Sequence, residues 1–550
     1  MQFYITIGAL ILCVVCLLDL PFTRRINQTL YGFFLMNGKL RLPGFLASIL
    51  SANLSIGNFL VFIAAWGYTF GWGGLFWFVI NLVLNVVAYL IFMPAFRGYI
   101  EDSNNSGTIH EFLSVTFGGV GAYSRRIRLI ASAATILGLL FAIVFELHLA
   151  TDILARLAGI DSVVVFVLLT GFICIYSAAG GFHTLIFTDV LQSIAMIVGT
   201  LAIIPILVSL SGVSSAVTLK AAYPVNAHAF NIGWPSILGI CVIGSGWFLV
   251  AMDQWQRTCA TRDSKRTKGG MLWYLVSITG FAVIYALVGM YDKAALLPSL
   301  SQEALAQHSK GANPLTDFFL ISGVTSAPGW LFVLVAMALL AAAMSTANTF
   351  LIVSGHSLVS DLIVAQKRGG SIVGLSTDQD RVFVGIARAS IIGMGIFVIL
   401  AWLLLTKAGL LSDPLSFFFI AYSICLVGTA GFFKASSLAI PAATSSFSLY
   451  LDICLGCGRG RRRILGSSSE ERRSNSRYRR WRLARPYACH YMDCRHDRLD
   501  LCEGDVSELN RICLRSLPIT FSLSFSRYLR WVFLPSVSFL TSGWNAKSND

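Results

Sequence analysis

Two adjacent hydroxyl groups stand among small residues in the middle of a long apolar stretch of this 550-residue chain. Ser345 and Thr346 follow three alanines and Met344, and Asn348 comes two residues later. Small side chains let a neighbouring helix approach closely, and hydroxyl oxygens are hard donors that apolar surroundings lack. The pattern is therefore compatible with binding of a dehydrated cation. The alternative is that both hydroxyls bond to their own helix and the alanines only pack.

A carboxylate inside an apolar stretch is the second candidate. Glu146, with His148 two residues on, is the one carboxylate well inside a predicted span. Such a residue is costly in hydrocarbon and indicates a functional site, here a solute contact or a proton carrier. The alternative is a position one turn from the outer surface, with the carboxylate in water, because Asp152 follows closely. Asp253 stands four residues before Arg257, and we expect an ion pair between them at the membrane interface.

Two stretches of polar residues and glycine interrupt apolar segments at matching positions of the two halves of the chain. The first is Ser51–Asn58. The second comes directly before Trp247 and consists of Gly239, Gly244, Ser245 and Gly246. An unwound stretch frees carbonyls for a cation and N–H groups for an anionic ligand group, provided that it lines a cavity. The alternative is that these small residues only mediate helix packing.

Membrane-spanning helices are the elements that must position these residues. The chain is 56% hydrophobic and 12% charged, with a mean hydropathy of +0.73, which excludes an ordinary soluble protein. A helix needs about 20 apolar residues to cross a bilayer. This criterion predicts eleven spans, at about 2–19, 42–66, 73–96, 129–150, 161–178, 185–210, 234–256, 270–290, 326–360, 382–406 and 413–433. The first span lacks a basic start and a cleavage site, so we expect a retained helix rather than a signal peptide.

The basic residues between the spans are unequally distributed. With the N-terminus outside, the loops on the inner side carry 17 lysines and arginines and those on the outer side carry five. Because inner loops are enriched in Lys and Arg, this asymmetry predicts a multi-pass protein of the cell (inner) membrane. Its N-terminus lies outside and its tail in the cytoplasm.

Ten spans remain when the first is set aside. Ten is the number expected of two five-helix inverted repeats that build a binding site near the bilayer midplane. We therefore predict an all-α polytopic membrane protein with a 5+5 inverted-repeat core and two broken helices. The predicted divisions are an extra N-terminal helix and loop, two repeats and a basic tail, at 1–41, 42–210, 211–434 and 435–550.

Four segments of the chain resemble the sodium:solute symporter family, which has the fold of the bacterial leucine transporter. They track residues 40 to 430 in order and are Ser51–Ser55, Tyr176–Gln192, Gln254–Arg257 with Asp263, and Ala341–Asn348. The resemblance implies a sodium site between the first and eighth core helices. Its implied ligands are the carbonyls of Ser51, Leu54 and Ala342 and the hydroxyls of Ser345 and Thr346.

The resemblance also implies roles for residues around that site. Asp189 matches an aspartate near the inner exit route of the ion, although a role as a helix cap is equally open. Asn348 stands where many members carry Asp. The positions that line the solute cavity in family members correspond here to Asn58, Trp247 and Phe248.

The composition changes completely after Lys434. The last stretch holds 17 arginines but one lysine, and six of the twelve cysteines. Three interpretations stay open: a basic membrane-surface segment, translation out of frame, and a zinc site, for which the ligands would be Cys454, Cys457, Cys489, His490, Cys494 and His496.

These features together predict a secondary active transporter that couples sodium, as coupling ion, to a small organic solute by alternating access. We expect the solute, sodium and the lipid bilayer as partners, and no nucleic acid. An enzyme is not expected, because no His/Asp or Ser/His/Asp constellation converges in the spans. Two alternatives are a proton-coupled symporter that uses Glu146 and a membrane solute sensor built on the same fold.

Overall fold

All regular elements in the described part of the chain are helices. The computed structural model describes residues 2–23, 26–102, 105–118, 122–211, 237, 246–296, 327–368, 372–411 and 424. The helices that carry the argument are α1 Gln2–Leu17, α2 Leu42–Asn53, α3 Phe62–Phe70, α4 Trp72–Glu101, α5 Ile109–Gly118, α6 Ala122–Ala158, α7 Ser162–Ser211, α8 Met252–Thr261, α9 Ser264–Tyr291, α10 Gly329–Ser357 and α11 Thr377–Lys407. Shorter helical turns lie at Leu20–Thr23, Ile26–Gln28, Leu30–Leu35, Met36–Gly38, Ile56–Val61, Trp247–Val250, Asp292–Leu296, Leu358–Val364 and Ala365–Arg368.

Seven of the described helices are long and apolar enough to cross a membrane. Their burial differs widely: 78% of the most apolar stretch of the α10 span is buried, against 17% for the span that contains α1. Helix α10 packs chiefly against α7 and α6 and is the central helix of the bundle. An all-α membrane fold is therefore confirmed. The division into two five-helix repeats stays a prediction, because residues 212–236 and 297–326 lie outside the described part.

The first core helix is interrupted where the sequence predicts it. Helix α2 ends at Asn53, Leu54 has non-helical dihedrals (φ −81°, ψ 50°), and a π-helical turn follows at Ile56–Val61 before α3. Close packing contributes to this geometry. A Cβ atom on Gly57 would lie 2.0 Å from the Phe145 ring of α6, so this turn accepts only glycine there without displacing α6.

A second interruption lies at Ala251, between the turn Trp247–Val250 and α8. Ala251 is extended (φ −72°, ψ 114°), and the Trp255 indole N–H donates to the Leu249 carbonyl at 2.9 Å across the break. Gly246 immediately precedes Trp247. The other predicted break residues, Gly239, Gly244 and Ser245, lie outside the described part of the chain.

The two spans predicted at 161–178 and 185–210 form one kinked helix, α7. The kink is at Gly181, whose φ of +58° is in the region that favours glycine. A Cβ atom there would also lie 2.8 Å from the carbonyl oxygen of Phe33. No loop separates the two halves. The Asn27 side chain donates to the carbonyl of Gly180 at 2.9 Å, next to the kink.

Helices α3 and α9 cross at very short distance. A Cβ atom on Gly289 would lie 1.8 Å from the carbonyl oxygen of Ala64, and one on Gly67 would lie 2.2 Å from that of Ala286. Each helix thus presents an alanine and a glycine three residues apart. Close backbone approach through small residues is a common way to associate helices in membranes, and here it holds α3, the part of the first broken helix that follows the interruption, against α9.

Candidate functional site

The hydroxyl pair of α10 faces the interruption of the first core helix. Ser345 Oγ donates a hydrogen bond to the carbonyl oxygen of Ser51 at 2.7 Å, which joins residues 294 positions apart. Both residues are fully buried, as are Ala342 and Leu54. The structure therefore brings two of the five predicted sodium ligands into direct contact. The Ser345 hydroxyl bonds across the helix interface instead of back to its own helix.

The second hydroxyl has no partner in the described part of the protein. Thr346 Oγ1 is completely buried and makes no hydrogen bond there. An unsatisfied buried hydroxyl costs about 1–3 kcal/mol. Thr346 is adjacent in sequence to Ser345, whose hydroxyl contacts the Ser51 carbonyl near the end of α2. This donor set, neutral hard oxygens with one lacking a partner, fits a small alkali cation.

Asn348 connects the same helix to α7. Its Oδ1 accepts from Ser177 Oγ at 2.6 Å, and its Nδ2 donates to Thr188 Oγ1 at 3.4 Å. Nearby, Tyr176 Oη donates to the carbonyl of Met344 at 3.5 Å. Asn348 thus makes polar contacts with two residues of α7.

A buried arginine lies one helical turn from the hydroxyl pair. We call Ser48, Asp189, Asp253, Arg257 and Thr349 the Arg257 cluster. The guanidinium donates from Nε to Ser48 at 2.7 Å and from Nη2 to Thr349 at 2.9 Å. Nη1 donates to the carboxylate of Asp253 at 3.2 Å. The predicted pair of Asp253 and Arg257 exists, and both side chains are buried in the bundle.

Asp189 is part of this cluster and is fully buried. Its Oδ2 accepts from Ser48 Oγ at 2.6 Å and lies 3.8 Å from Nη2 of Arg257. Its Oδ1 makes no hydrogen bond with the described residues. Asp189 therefore contacts other helices of the bundle through its side chain, which a helix cap alone would not require.

Two members of the cluster, Ser48 and Thr349, were not predicted from the sequence. The available signal was their spacing. Ser48 precedes Ser51 by three residues and Thr349 follows Thr346 by three, so each lies on the same helix face as a predicted ligand. Through this cluster and the hydroxyl pair, all four segments that carry the family resemblance meet in one place.

Glu146 lies inside the protein and is fully buried. Its Oε2 accepts from the backbone N–H of Gly57 at 3.0 Å, in the π-helical turn that follows the break. The interpretation that this carboxylate reaches water at the outer surface is therefore wrong. His148 points elsewhere, because its Nδ1 accepts from the indole N–H of Trp402 in α11 at 3.2 Å.

The predicted solute contacts are placed only in part. Phe248 is buried and packs edge-on against Tyr274 and Tyr89, with ring centroids 5.5 Å and 6.4 Å away. Trp247 is half-buried beside it at the start of its turn. Asn58 lies in the π-helical turn of the first broken helix, and its side chain is outside the description. The three predicted solute residues thus lie on the two interrupted segments.

A second ionic cluster connects the far end of the α10 segment to α5 and α6. Asp361 accepts from Arg128 Nε at 2.6 Å and contacts His110 Nδ1 at 2.8 Å. Glu111 lies 3.7 Å from the same arginine, and burial raises the pKa of its carboxyl against that opposing charge. All four side chains are buried. We assign this cluster to the stability of the bundle.

Transition-metal chemistry has no support in the described ranges. No group of three or more His, Cys, Asp or Glu side chains there could hold a metal ion. The cysteines and histidines of the zinc interpretation, between Cys454 and His496, lie outside those ranges. The site that the structure does describe is built from neutral oxygens.

The chain is similar to known transport proteins. Residues 33–412 match the family model described as "Sodium:solute symporter family". The high-affinity proline transporter PutP of Bacillus subtilis (strain 168) is 27% identical over 344 residues, which cover 59% of this chain and 66% of that protein. A sodium/proline symporter of Staphylococcus aureus is 25% identical over 348 residues, covering 59% and 61%. The match thus spans less than two thirds of the length of these relatives.

A solved structure shares the fold. It is described as the substrate-bound outward-open state of a Na+-coupled sialic acid symporter, with a TM-score of 0.60 and 21% sequence identity. The alignment covers 82% of this chain and 95% of that one.

Proposed function

The chain belongs to the sodium:solute symporter family, and from that premise we propose that it is a secondary active transporter for sodium-coupled symport of a small organic solute. One observation carries the sodium assignment. The buried Ser345 hydroxyl contacts the Ser51 carbonyl at 2.7 Å, while the adjacent Thr346 hydroxyl lacks a partner among the described residues. A sodium ion coordinated by the carbonyls of Ser51, Leu54 and Ala342 and both hydroxyls satisfies these oxygens.

Neutral ligands suit a transport site better than a storage site. Five uncharged oxygens leave the charge of the ion uncompensated, so binding is of moderate affinity and release into a low-sodium cytoplasm is feasible. None of the five groups titrates near neutral pH, which favours sodium over a proton. Asp189 accepts a hydrogen bond from Ser48, one turn from Ser51 in α2, and in this proposal attracts the departing ion.

The solute binds beside the two interrupted segments. Asn58, Trp247, Phe248 and Glu146 supply its contacts in this proposal, with aromatic rings closing over a small molecule. Proline is the first solute to test, because two of the relatives are named as proline transporters. Alternating access exposes the site first to the outside and then to the cytoplasm, with the N-terminus outside.

Proton coupling is the second candidate, and the burial of Glu146 favours it. The carboxylate lies at the break of the first core helix, where it contacts the backbone of Gly57. A group that carries a proton in this position can couple its charge to the conformation of the broken helix.

Reciprocal stabilisation separates the two candidates. We would measure thermal unfolding of the purified protein with a panel of solutes that includes proline, in sodium chloride and in choline chloride. Sodium and the correct solute must increase each other's binding affinity by the same factor, since linkage is symmetric in free energy. A ligand at about 100 times its Kd adds about 2.7 kcal/mol to stability, which such an assay resolves.

The opposite pattern would reject the sodium proposal. Solute binding that ignores sodium, follows pH and disappears in Glu146→Gln would show a proton symporter. The matched control is Glu101→Gln, which removes a carboxylate at the exposed end of α4.

A further inference from the structure

Arg257 lies on the route by which sodium would leave for the cytoplasm. We propose that its guanidinium is the inner gate of the sodium site: a cation attached to the protein that occupies Asp189 until the transported ion replaces it. This inference rests on the proposed function and adds a gating residue that the sodium site itself does not require. It follows from the contacts of the Arg257 cluster and from their position.

The guanidinium of Arg257 contacts residues of four helices. Asp253 belongs to α8, the same helix as Arg257, and accepts through both its carboxylate and its carbonyl, at 3.2 Å and 3.0 Å. Ser48 belongs to α2, Thr349 to α10 and Asp189 to α7. The arginine therefore connects α2 and α8, which lie next to the two interruptions, to α7 and α10. Its contacts to Asp189 and Thr349 must break when these pairs of helices separate.

The cluster lies on the cytoplasmic side of the sodium ligands. Ser48 is one turn closer than Ser51 to the start of α2, and a turn advances about 5.4 Å along the axis. Thr349 is likewise one turn beyond Thr346 toward the end of α10. The loops next to both of these helix ends carry the basic residues that face the cytoplasm. An ion that moves inward from the hydroxyl pair therefore meets the Arg257 cluster.

The charges allow one cation to be exchanged for another. Arg257 is fully buried and has two carboxylates, Asp189 and Asp253, as partners. Asp189 is the weaker partner, at 3.8 Å, and its Oδ1 makes no hydrogen bond with the described residues. Sodium that reaches this oxygen competes with the guanidinium for Asp189, while Asp253 keeps the arginine neutralised on its own helix. The number of buried charges that lack a partner does not rise during the exchange, which removes the main cost of opening.

Sodium leak measures the gate directly. We would reconstitute the purified full-length protein into liposomes and follow uptake of radioactive sodium without any organic solute, per amount of folded protein. Arg257→Gln is expected to raise this leak by about tenfold or more, since it removes a charged hydrogen-bonding group between the helices. Arg257→Lys keeps the charge but donates to fewer partners, and we expect a leak between those of wild type and Arg257→Gln.

Matched variants separate gating from stability. Thr349→Val is nearly isosteric and removes one partner of the guanidinium, so it tests the gate even where Arg257→Gln does not fold; we expect a leak about threefold above wild type. Arg128→Gln removes another buried arginine, whose partner Asp361 lies 2.6 Å away in the second ionic cluster. It is expected to lower the melting temperature and to leave the leak unchanged.

Each outcome decides the proposal. Leak that rises in the Arg257 and Thr349 variants but not in Arg128→Gln supports the gate. The gate is overturned if Thr349→Val and every folded Arg257 variant leak sodium no faster than the wild type. If sodium still stabilises these proteins more than choline does, the sodium site stays intact. Absence of sodium stabilisation in the wild-type protein overturns both.

Discussion

At the residue scale, the two neighbouring hydroxyls of α10 have different surroundings. The Ser345 hydroxyl donates to the Ser51 carbonyl, so it connects two helices. The Thr346 hydroxyl has no hydrogen bond within the described structure, so in this proposal its only function is to contact the ion. The sequence identified both residues but could not assign these separate roles, because a partner 294 residues away has no local signature.

The difference between the hydroxyls predicts different effects of their removal. Thr346→Val should weaken sodium activation about tenfold or more, on the basis that a lost polar contact costs about 1–3 kcal/mol. In choline chloride it should leave the melting temperature equal or slightly higher, since valine removes an unsatisfied hydroxyl. Ser345→Ala should weaken sodium activation similarly and also lower the melting temperature in choline chloride.

Ser354→Ala is the matched control for both variants. Ser354 lies in the same helix, is fully buried and likewise lacks a hydrogen bond in the described part of the chain. Its removal should not change sodium dependence. Equal sodium activation in Thr346→Val, Ser345→Ala and wild type would refute the assigned ligands.

At the scale of elements, close backbone approach decides where helices bend and cross. Gly57, Gly181 and Gly289 each stand where a Cβ atom would meet another element at under 3 Å. In the sequence these glycines look alike, and the chain has 48 of them. The sequence predicted the interruption at Leu54 from its polar run. It could not predict that the fourth and fifth spans join in a kink, because that depends on Phe33 and Asn27 packing into the bend.

The crossing of α3 and α9 predicts that two glycine-to-alanine substitutions in α9 change the stability of the protein in opposite directions. Gly289→Ala should destabilise the protein by about 1–3 kcal/mol, because its Cβ would lie 1.8 Å from a backbone oxygen and overpacking moves whole helices. A Cβ atom at position 280 has no other atom within 4 Å. Gly280→Ala should therefore be neutral or stabilising by up to about 1 kcal/mol, since alanine favours the helix. Melting temperatures of the two purified variants test this. Similar values would show that the helices do not cross at Gly289.

At the scale of the whole molecule, the residues of the proposed transport site lie in the first three quarters of the chain. The family match ends at residue 412, and every proposed sodium ligand, gate residue and solute contact precedes it. The chain divides into two compact units, Met1–Gly458 and Arg459–Asp550, and all of these residues belong to the first. The basic tail therefore contributes none of the residues on which the proposed function depends.

The tail is expected to be dispensable. A protein that ends after Lys434 should insert into membranes and retain stabilisation by sodium, because it keeps every proposed ligand. A longer form that ends after Gly458 is the control and should behave the same. Folding of the longer form alone would show that residues 435–458 are needed, and failure of both would show that the tail is an ordered part of the transporter.

The sequence by itself determined the membrane class, the approximate spans and the residues with ion-binding chemistry. Hydrophobic length and oxygen-bearing side chains are local properties, so a single chain displays them directly. The tertiary structure alone decided which of these residues meet. It placed Ser345 against Ser51, and it buried Glu146 on the backbone of Gly57 and the Asp253–Arg257 pair inside the bundle. Such pairings depend on how distant helices pack, and a buried charge is tolerated only where that packing supplies its partners.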